Sequence, residues 1–297
     1  MKERLRNSKY AKPFYYIVFF VVLFFVFLYT SFPTEGIKQQ IISQITDNTP
    51  YQAEIGSASI AAPFSLKLQD VTLYRSKDNV LKIDSLKVSP SVFSLFSSSN
   101  IIPFKAKLNG GEIKGTLSIN KSGSGLDEID AEVKHVNVDN LTAFITGSED
   151  ALALRGALDG NLKIDFSPEA LGEFNFTVDE LELDNIMVKG IKLPALKGLQ
   201  SVFSGNIEGR ETNVQELNLK GDGIDLQITG KAPLIWEFSK GGVIDLGYRL
   251  EITGGEYAKY KGMLSPYLAQ QRDGSLGGKI IGTVSNPKFE KGSVKRF

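Results

Sequence analysis

The sequence predicts a mainly β protein in which a single N-terminal transmembrane helix is followed by a largely antiparallel, curved β-sheet domain with short helices. Three observations carry this. Residues 14–32 form an apolar run without a charge. From residue 51 the hydrophobic period changes from helical to two. Asn-Gly and Gly-rich corners then punctuate the alternating runs. With 297 residues and 42% hydrophobic content the chain can bury a real core, in one large all-β domain or two ordinary ones.

Residues 1–13 read as a basic cytoplasmic tail. Lys2, Arg4, Arg6, Lys9 and Lys12 stand against Glu3 alone, and the positive-inside rule keeps such a tail in the cytoplasm. In FYYIVFFVVLFFVFLYTSF, residues 14–32, a rise of ~1.5 Å per residue spans close to the hydrocarbon thickness of a bilayer. Phe14, Ile17, Phe20, Leu23, Phe24, Phe27, Leu28 and Phe32 are its expected lipid-facing anchor. A cleaved signal peptide fits less well, because the run exceeds the usual core of roughly 7–15 residues and YTSFPTE offers no A-x-A-like site.

Residues 33–120 read as a membrane-proximal helix and an N-terminal β unit. Ile37, Ile41, Ile42 and Ile45 recur at helical spacing after Pro33, and the polar face is not Lys/Arg-rich, so the helix is expected to pack on the sheet. LKIDSLKVSPSVFSLFSSSNIIPFKAKL, residues 81–108, predicts a strand through Leu81, Ile83 and Leu86 or Val88, a stop at Pro90, a helical turn over Val92–Phe96, and a second strand. Asn109-Gly110-Gly111 then turns a hairpin into the alternating residues Ile113, Leu117 and Ile119. KSGSG, residues 121–125, is the expected flexible boundary to a C-terminal β-sheet region, residues 121–297.

That second region alternates over 158–166, 174–183, 214–219, 224–228 and 244–252. Polar residues at every second position predict one wet face and one buried face, the pattern of antiparallel pairing. In GIDLQITG, Ile224, Leu226 and Ile228 form the candidate apolar face. Helical exceptions are expected at 140–145, Leu193–Phe203 and Tyr257–Gln271, the last broken by Pro266. The 29 glycines are expected at run ends and corners, as in Gly277-Gly278.

Chemistry is sparse. Lys+Arg and Asp+Glu are both 34, so no basic field exists to hold nucleic acid. Without cysteine there are no disulfides, thiol catalysis or thiolate metal sites. His135 is the only histidine and reads as a surface strand residue. ELELD, residues 180–184, puts Glu180, Glu182 and Asp184 on one solvated face rather than around a metal. Trp236 and Phe238 read as core. Neither a phosphate-binding Gly loop nor a nucleophile elbow is present, and no enzyme, cofactor or metal is expected.

Seven blocks, taken in order, resemble type II secretion system protein N, in the form found in bacteria such as the deltaproteobacteria. They are SFPTEGIKQQI, LKIDSLKVSPSVFSLF, FKAKLNGGEIKG, LRGALDGNLKI, GIKLPALKGLQSVFSGNIEG, LNLKGDGIDLQITGKAPL and RDGSLGGKIIGTVSNPKF. Gly110, Gly111, Gly156, Gly160, Gly282, Thr283 and Pro287 are the motif residues. The resemblance implies a single-pass protein of the bacterial inner membrane with its main domain in the periplasm. It would serve protein export as a non-catalytic structural or assembly subunit, with other secretion-system subunits as partners. The strand, short helix, strand joint at 81–108 also resembles AsmA-like proteins, which implies the alternative of lipid handling in an apolar β groove.

Overall fold

The computed structural model describes residues 16, 19–20, 23, 33–61, 65–75, 80–89, 99–120, 125–139, 141, 144, 153–188, 191–192, 194–234, 242–266, 268–283 and 286–292. Helix α1, Thr34–Asn48, precedes an antiparallel meander. Its strands are β1 Gln52–Ala61, β2 Ser65–Tyr74, β3 Val80–Val88, β4 Ser99–Leu108, β5 Gly111–Asn120, β6 Leu126–Asn137, β7 Ala153–Asp165 and β8 Leu171–Asp184. A two-stranded ribbon, β9 Met187–Val188 and β10 Ile191–Lys192, interrupts the order. The sheet resumes with β11 Leu196–Glu208, β12 Glu211–Gly221, β13 Ile224–Pro233 and β14 Val243–Ile252. After α2, Ala258–Leu264, come β15 Ala269–Gln270, β16 Leu276–Thr283 and β17 Asn286–Lys291. Outside the ribbon, each strand through β14 lies beside its neighbour in sequence, and β14 pairs with β16.

The mainly β, antiparallel, curved sheet is therefore as expected, and β5 pairs with β6 across the KSGSG connection. Asn109 (φ 47) and Gly110 (φ 79) both take the left-handed conformation that a two-residue hairpin turn demands. Ile41 and Ile42 of α1 pack against Ile55, Leu68 and Val71, so this helix lies on the sheet.

No helix among the described residues is long and apolar enough to cross a membrane. Phe20 and Leu23 of the expected anchor are helical and exposed, as are Tyr16 and Phe19. Phe14, Ile17, Phe24, Phe27, Leu28 and Phe32 lie outside the described residues, as do Lys2, Arg4, Arg6, Lys9, Lys12, the 92–96 turn, Trp236 and Phe238.

Two expectations need correction. Leu193–Phe203 is read as helical from its sequence, yet Leu196–Glu208 is strand β11. Leu196 and Leu199 are both buried in one cluster although three residues apart, because the register slips between them, at Gly198 (φ 61). A bulge inserts one residue and returns the side chain to the same face, which imitates helical spacing. Gly277-Gly278 is likewise no corner: both residues are buried inside β16.

Bulges recur and give the sheet its curvature. Register slips occur in β3 beside Asp84, in β6 at Lys134–His135 and in β8 at Glu180–Leu181. His135 (φ 50) and Glu180 (φ 52) carry the left-handed backbone themselves. Each such insertion bends its strand and adds right-handed twist.

Candidate functional site: an apolar trough across the strands

The pairing register carries one side-chain row across thirteen strands. It starts at Ala58, Leu68, Leu86, Ala106, Ile113 and Val133. It continues through Gly160, Phe176, Phe203, Leu217, Ile228, Tyr248 and Gly278. Cross-strand partners share a face, so these residues form one line without a charged side chain, in which the Tyr248 hydroxyl is the one polar group. The next row, two residues along each strand, begins Ile60, Leu66, Val88 and Phe104 and ends Leu246, Ile280 and Phe289. It too is apolar throughout. Leu226, from the sequence-predicted face, lies one step to the other side, between Leu219 and Leu250. Ile224 is buried and Leu226 and Ile228 are half-buried against the same cluster, so the three share a face as expected.

What covers these rows differs along the sheet. Beside β1, helix α1 closes the face. At the far end Tyr257, Leu264 and Leu268, from the connection holding α2, pack with Leu199, Tyr248, Ile252 and Leu276 in the largest buried cluster. Between these ends the clusters come from the sheet's own strands and their immediate ends. There Leu86, Ile113, Phe176, Phe203 and Leu217 are only half-buried although each has a strand on either side, while the smaller Ala106 and Val133 between them are buried. A second layer would bury such residues. Among the described residues, the middle of the face is an open trough.

Glycine and aromatic residues shape its floor. A Cβ at Gly160 would stand 2.2 Å from the Asn175 carbonyl oxygen and 2.6 Å from Phe176 Cδ1. The Phe176 ring therefore lies in the space that any other residue at 160 would fill. Phe174, Phe176 and Phe203 continue the aromatic floor, with the Phe174 and Phe203 rings 4.7 Å apart.

The opposite face is polar. Lys67, Lys87, Lys105, Lys114, Glu132, Asn161 and Asn175 make the matching row. Lys105 reaches Glu112 at 2.7 Å and Lys114 reaches Glu132 at 2.7 Å. The Lys105 hydrogen bond holds the Glu112 carboxyl below the usual range, and Lys114 with Lys134 does the same for Glu132.

His135 lies on this wet side, where its backbone N–H donates to Asp159 Oδ1 at 3.0 Å and its Nδ1 stands 2.9 Å from the same oxygen. The side chain is 77% exposed, and its geometry is that of a bulge tied to the neighbouring strand. Glu182 pairs with Arg155 at 3.6 Å. No group of three His, Cys, Asp or Glu residues among those described could hold a metal.

The motif residues are spread through the fold. Gly110 and Gly111 form and follow the β4–β5 turn, and Gly156 and Gly160 lie in β7. Gly282 pairs with Pro287 and Thr283 with Asn286 in the last hairpin. Of these, only Gly160 is on the trough floor rows traced above. Sequence reasoning misses the floor's other members, Phe176, Phe203, Leu217 and Tyr248; their alternation is visible, but their alignment depends on the bulges.

Among the described residues, cavities lie near the strand ends. One of about 280 Å³ is walled by Leu81, Asn109, Asn137, Leu141 and Phe144. Phe144 stacks on Tyr51 with ring centroids 4.9 Å apart, which fastens the β6–β7 connection to the start of β1. A shallower one of about 400 Å³ lies between Lys163, Leu171 and Glu208.

Compared with known proteins, the chain matches no family, no curated protein and no solved structure.

Proposed function

We propose that this is a non-catalytic, inner-membrane-anchored protein of the periplasm that holds the acyl chains of lipids in its trough. The observation that carries the reading is the apolar row without a charge from β1 to β16, whose larger middle side chains Leu86, Ile113, Phe176, Phe203 and Leu217 are half-buried. At about 4.8 Å per strand the row runs roughly 60 Å along the sheet, about twice the hydrocarbon core of a bilayer. An apolar surface of that extent on a monomer marks an interaction site. The occupant is argued from continuity: the trough begins under α1, directly after the apolar run 14–32. A lipid reaching this protein from its own membrane meets that end first.

The second reading is a structural or assembly subunit of the type II secretion system, whose other subunits would cover the trough. It is favoured by the resemblance, whose blocks extend from α1 to β17 rather than clustering in one hairpin.

One pair of measurements separates the readings. The full chain, extracted in dodecyl maltoside, should carry phospholipid detectable by mass spectrometry, and deletion of its gene should leave export of periplasmic enzymes intact. A lipid-free protein whose deletion traps those enzymes in the periplasm supports the secretion subunit instead.

A further inference from the structure

Three buried side-chain oxygens among the described residues have no hydrogen-bond partner: Asn218 Oδ1, Asp225 Oδ1 and the Tyr248 hydroxyl. Asn218 pairs with Gln227 and Asp225 with Lys220 on the wet face. Tyr248 alone belongs to the trough, in the row between Ile228 and Gly278. Its side chain is enclosed, with the residue 5% exposed. The hydroxyl lies over Gly278, where a Cβ would stand 2.7 Å from it, and the ring meets Phe289 edge-on at 6.1 Å. Burial pushes its pKa up, so at neutral pH the group is an O–H donor. A donor buried without an acceptor destabilises the fold, a loss that phenylalanine at this position would avoid.

The segment that closes this end is unlike the tight turns elsewhere. Asn109–Gly110, Gly209–Arg210 and Asp222–Gly223 each join neighbouring strands in two residues, whereas β14 and β16 are joined by residues 253–275. This one holds α2 and then β15, which pairs with β16. The part before β15 starts at Gly254-Gly255, small residues of the kind that serve as hinges. Of helix α2, only Leu264 is buried, and Met263 is 48% exposed. Tyr257, Leu264 and Leu268 join Tyr248 in one cluster.

We infer that residues 254–266, which hold α2, are a lid over a carbonyl-binding position in the trough, where the Tyr248 hydroxyl donates a hydrogen bond to the ester carbonyl of an acyl lipid. In the closed form that hydroxyl has no partner. Lifting the lid extends the trough to its distal end and admits the ester group. The inference rests on the trough's holding acyl lipid.

The test compares 1-palmitoyl lysophosphatidylglycerol with its 1-O-hexadecyl ether analogue, which lacks the carbonyl. Binding to the full chain in dodecyl maltoside is read by native mass spectrometry. The parent should retain the ester lipid about three- to tenfold better than the ether, the range of one neutral hydrogen bond. Tyr248→Phe should bind both equally and melt no lower than the parent. Adding the ester lipid should quicken amide exchange over Ala258–Leu264. Equal binding of the two lipids by the parent, or an ester preference kept in Tyr248→Phe, overturns the role of the hydroxyl and leaves the trough reading standing. Exchange that does not quicken overturns the lid, and binding of neither lipid overturns both the inference and the trough reading.

Discussion

Leu199→Asp should abolish folding of the sheet. Leu199 is 1% exposed and belongs to the cluster that joins β8, β11, β13 and β14 to the α2 connection. A carboxylate there must either be buried without a partner or take up a proton, at a cost of several kcal/mol against a typical total stability of about 5–15 kcal/mol. The adjacent substitution Gln200→Asp is the control. Gln200 is exposed on the other face and pairs across the strands with Lys220, so the new charge meets water and a cation. Thermal melts and protease resistance of the full chain in detergent should separate the two: Leu199→Asp is degraded or insoluble, and Gln200→Asp melts within a few degrees of the parent. Equal melts would mean that the faces of β11 are assigned wrongly.

Gly160→Val should be nearly as damaging, for a steric reason. The backbone at 160 has φ 151, and the first side-chain atom would collide with the Asn175 carbonyl oxygen and the Phe176 ring. Both clashes lie across a strand pair that cannot part without breaking ladder bonds, so a loss of about 3 kcal/mol or more is expected. Gly262→Ala supplies the contrast. Gly262 is in α2 with nothing within 4 Å of an added Cβ, and alanine there should raise stability by about 0.5–1 kcal/mol. Chemical denaturation of the three proteins measures both effects, and a Gly160→Val chain as stable as the parent would remove the close packing of β7 on β8.

Much of this sheet is written in local alternation, and the rest is not. The Asn109-Gly110 turn and the runs in β7, β8, β12, β13 and β14 can be read directly, because period two and positive-φ turn residues act within a few positions. Bulges defeat that reading. In β3, Ile83 and Leu86 both face the sheet's apolar side, which is why the sequence leaves Leu86 and Val88 open as alternatives. In β11 the same device makes a strand resemble a helix at Leu196 and Leu199. The trough is less legible still. Each strand contributes one or two apolar residues that would suit a closed core equally well, and only the summed register shows that they line up from Ala58 to Gly278. Whether anything covers that line depends on the connections, whose composition does not reveal where they pack. The unpartnered Tyr248 hydroxyl is of the same kind: its sequence neighbours Gly247 and Arg249 give no hint that it is enclosed.

Photo-cross-linking at alternate positions tests the trough most directly. A benzophenone side chain would be placed in turn at Leu86 and Phe203 on the trough row, and at Lys87 and Ser204 on the opposite face, in the full-length chain expressed in bacterial cells. Lipid adducts, read by mass spectrometry, should form at Leu86 and Phe203 and be absent one residue further along each strand. Adducts at all four positions, or at none, would contradict an acyl-chain trough on this face of the sheet.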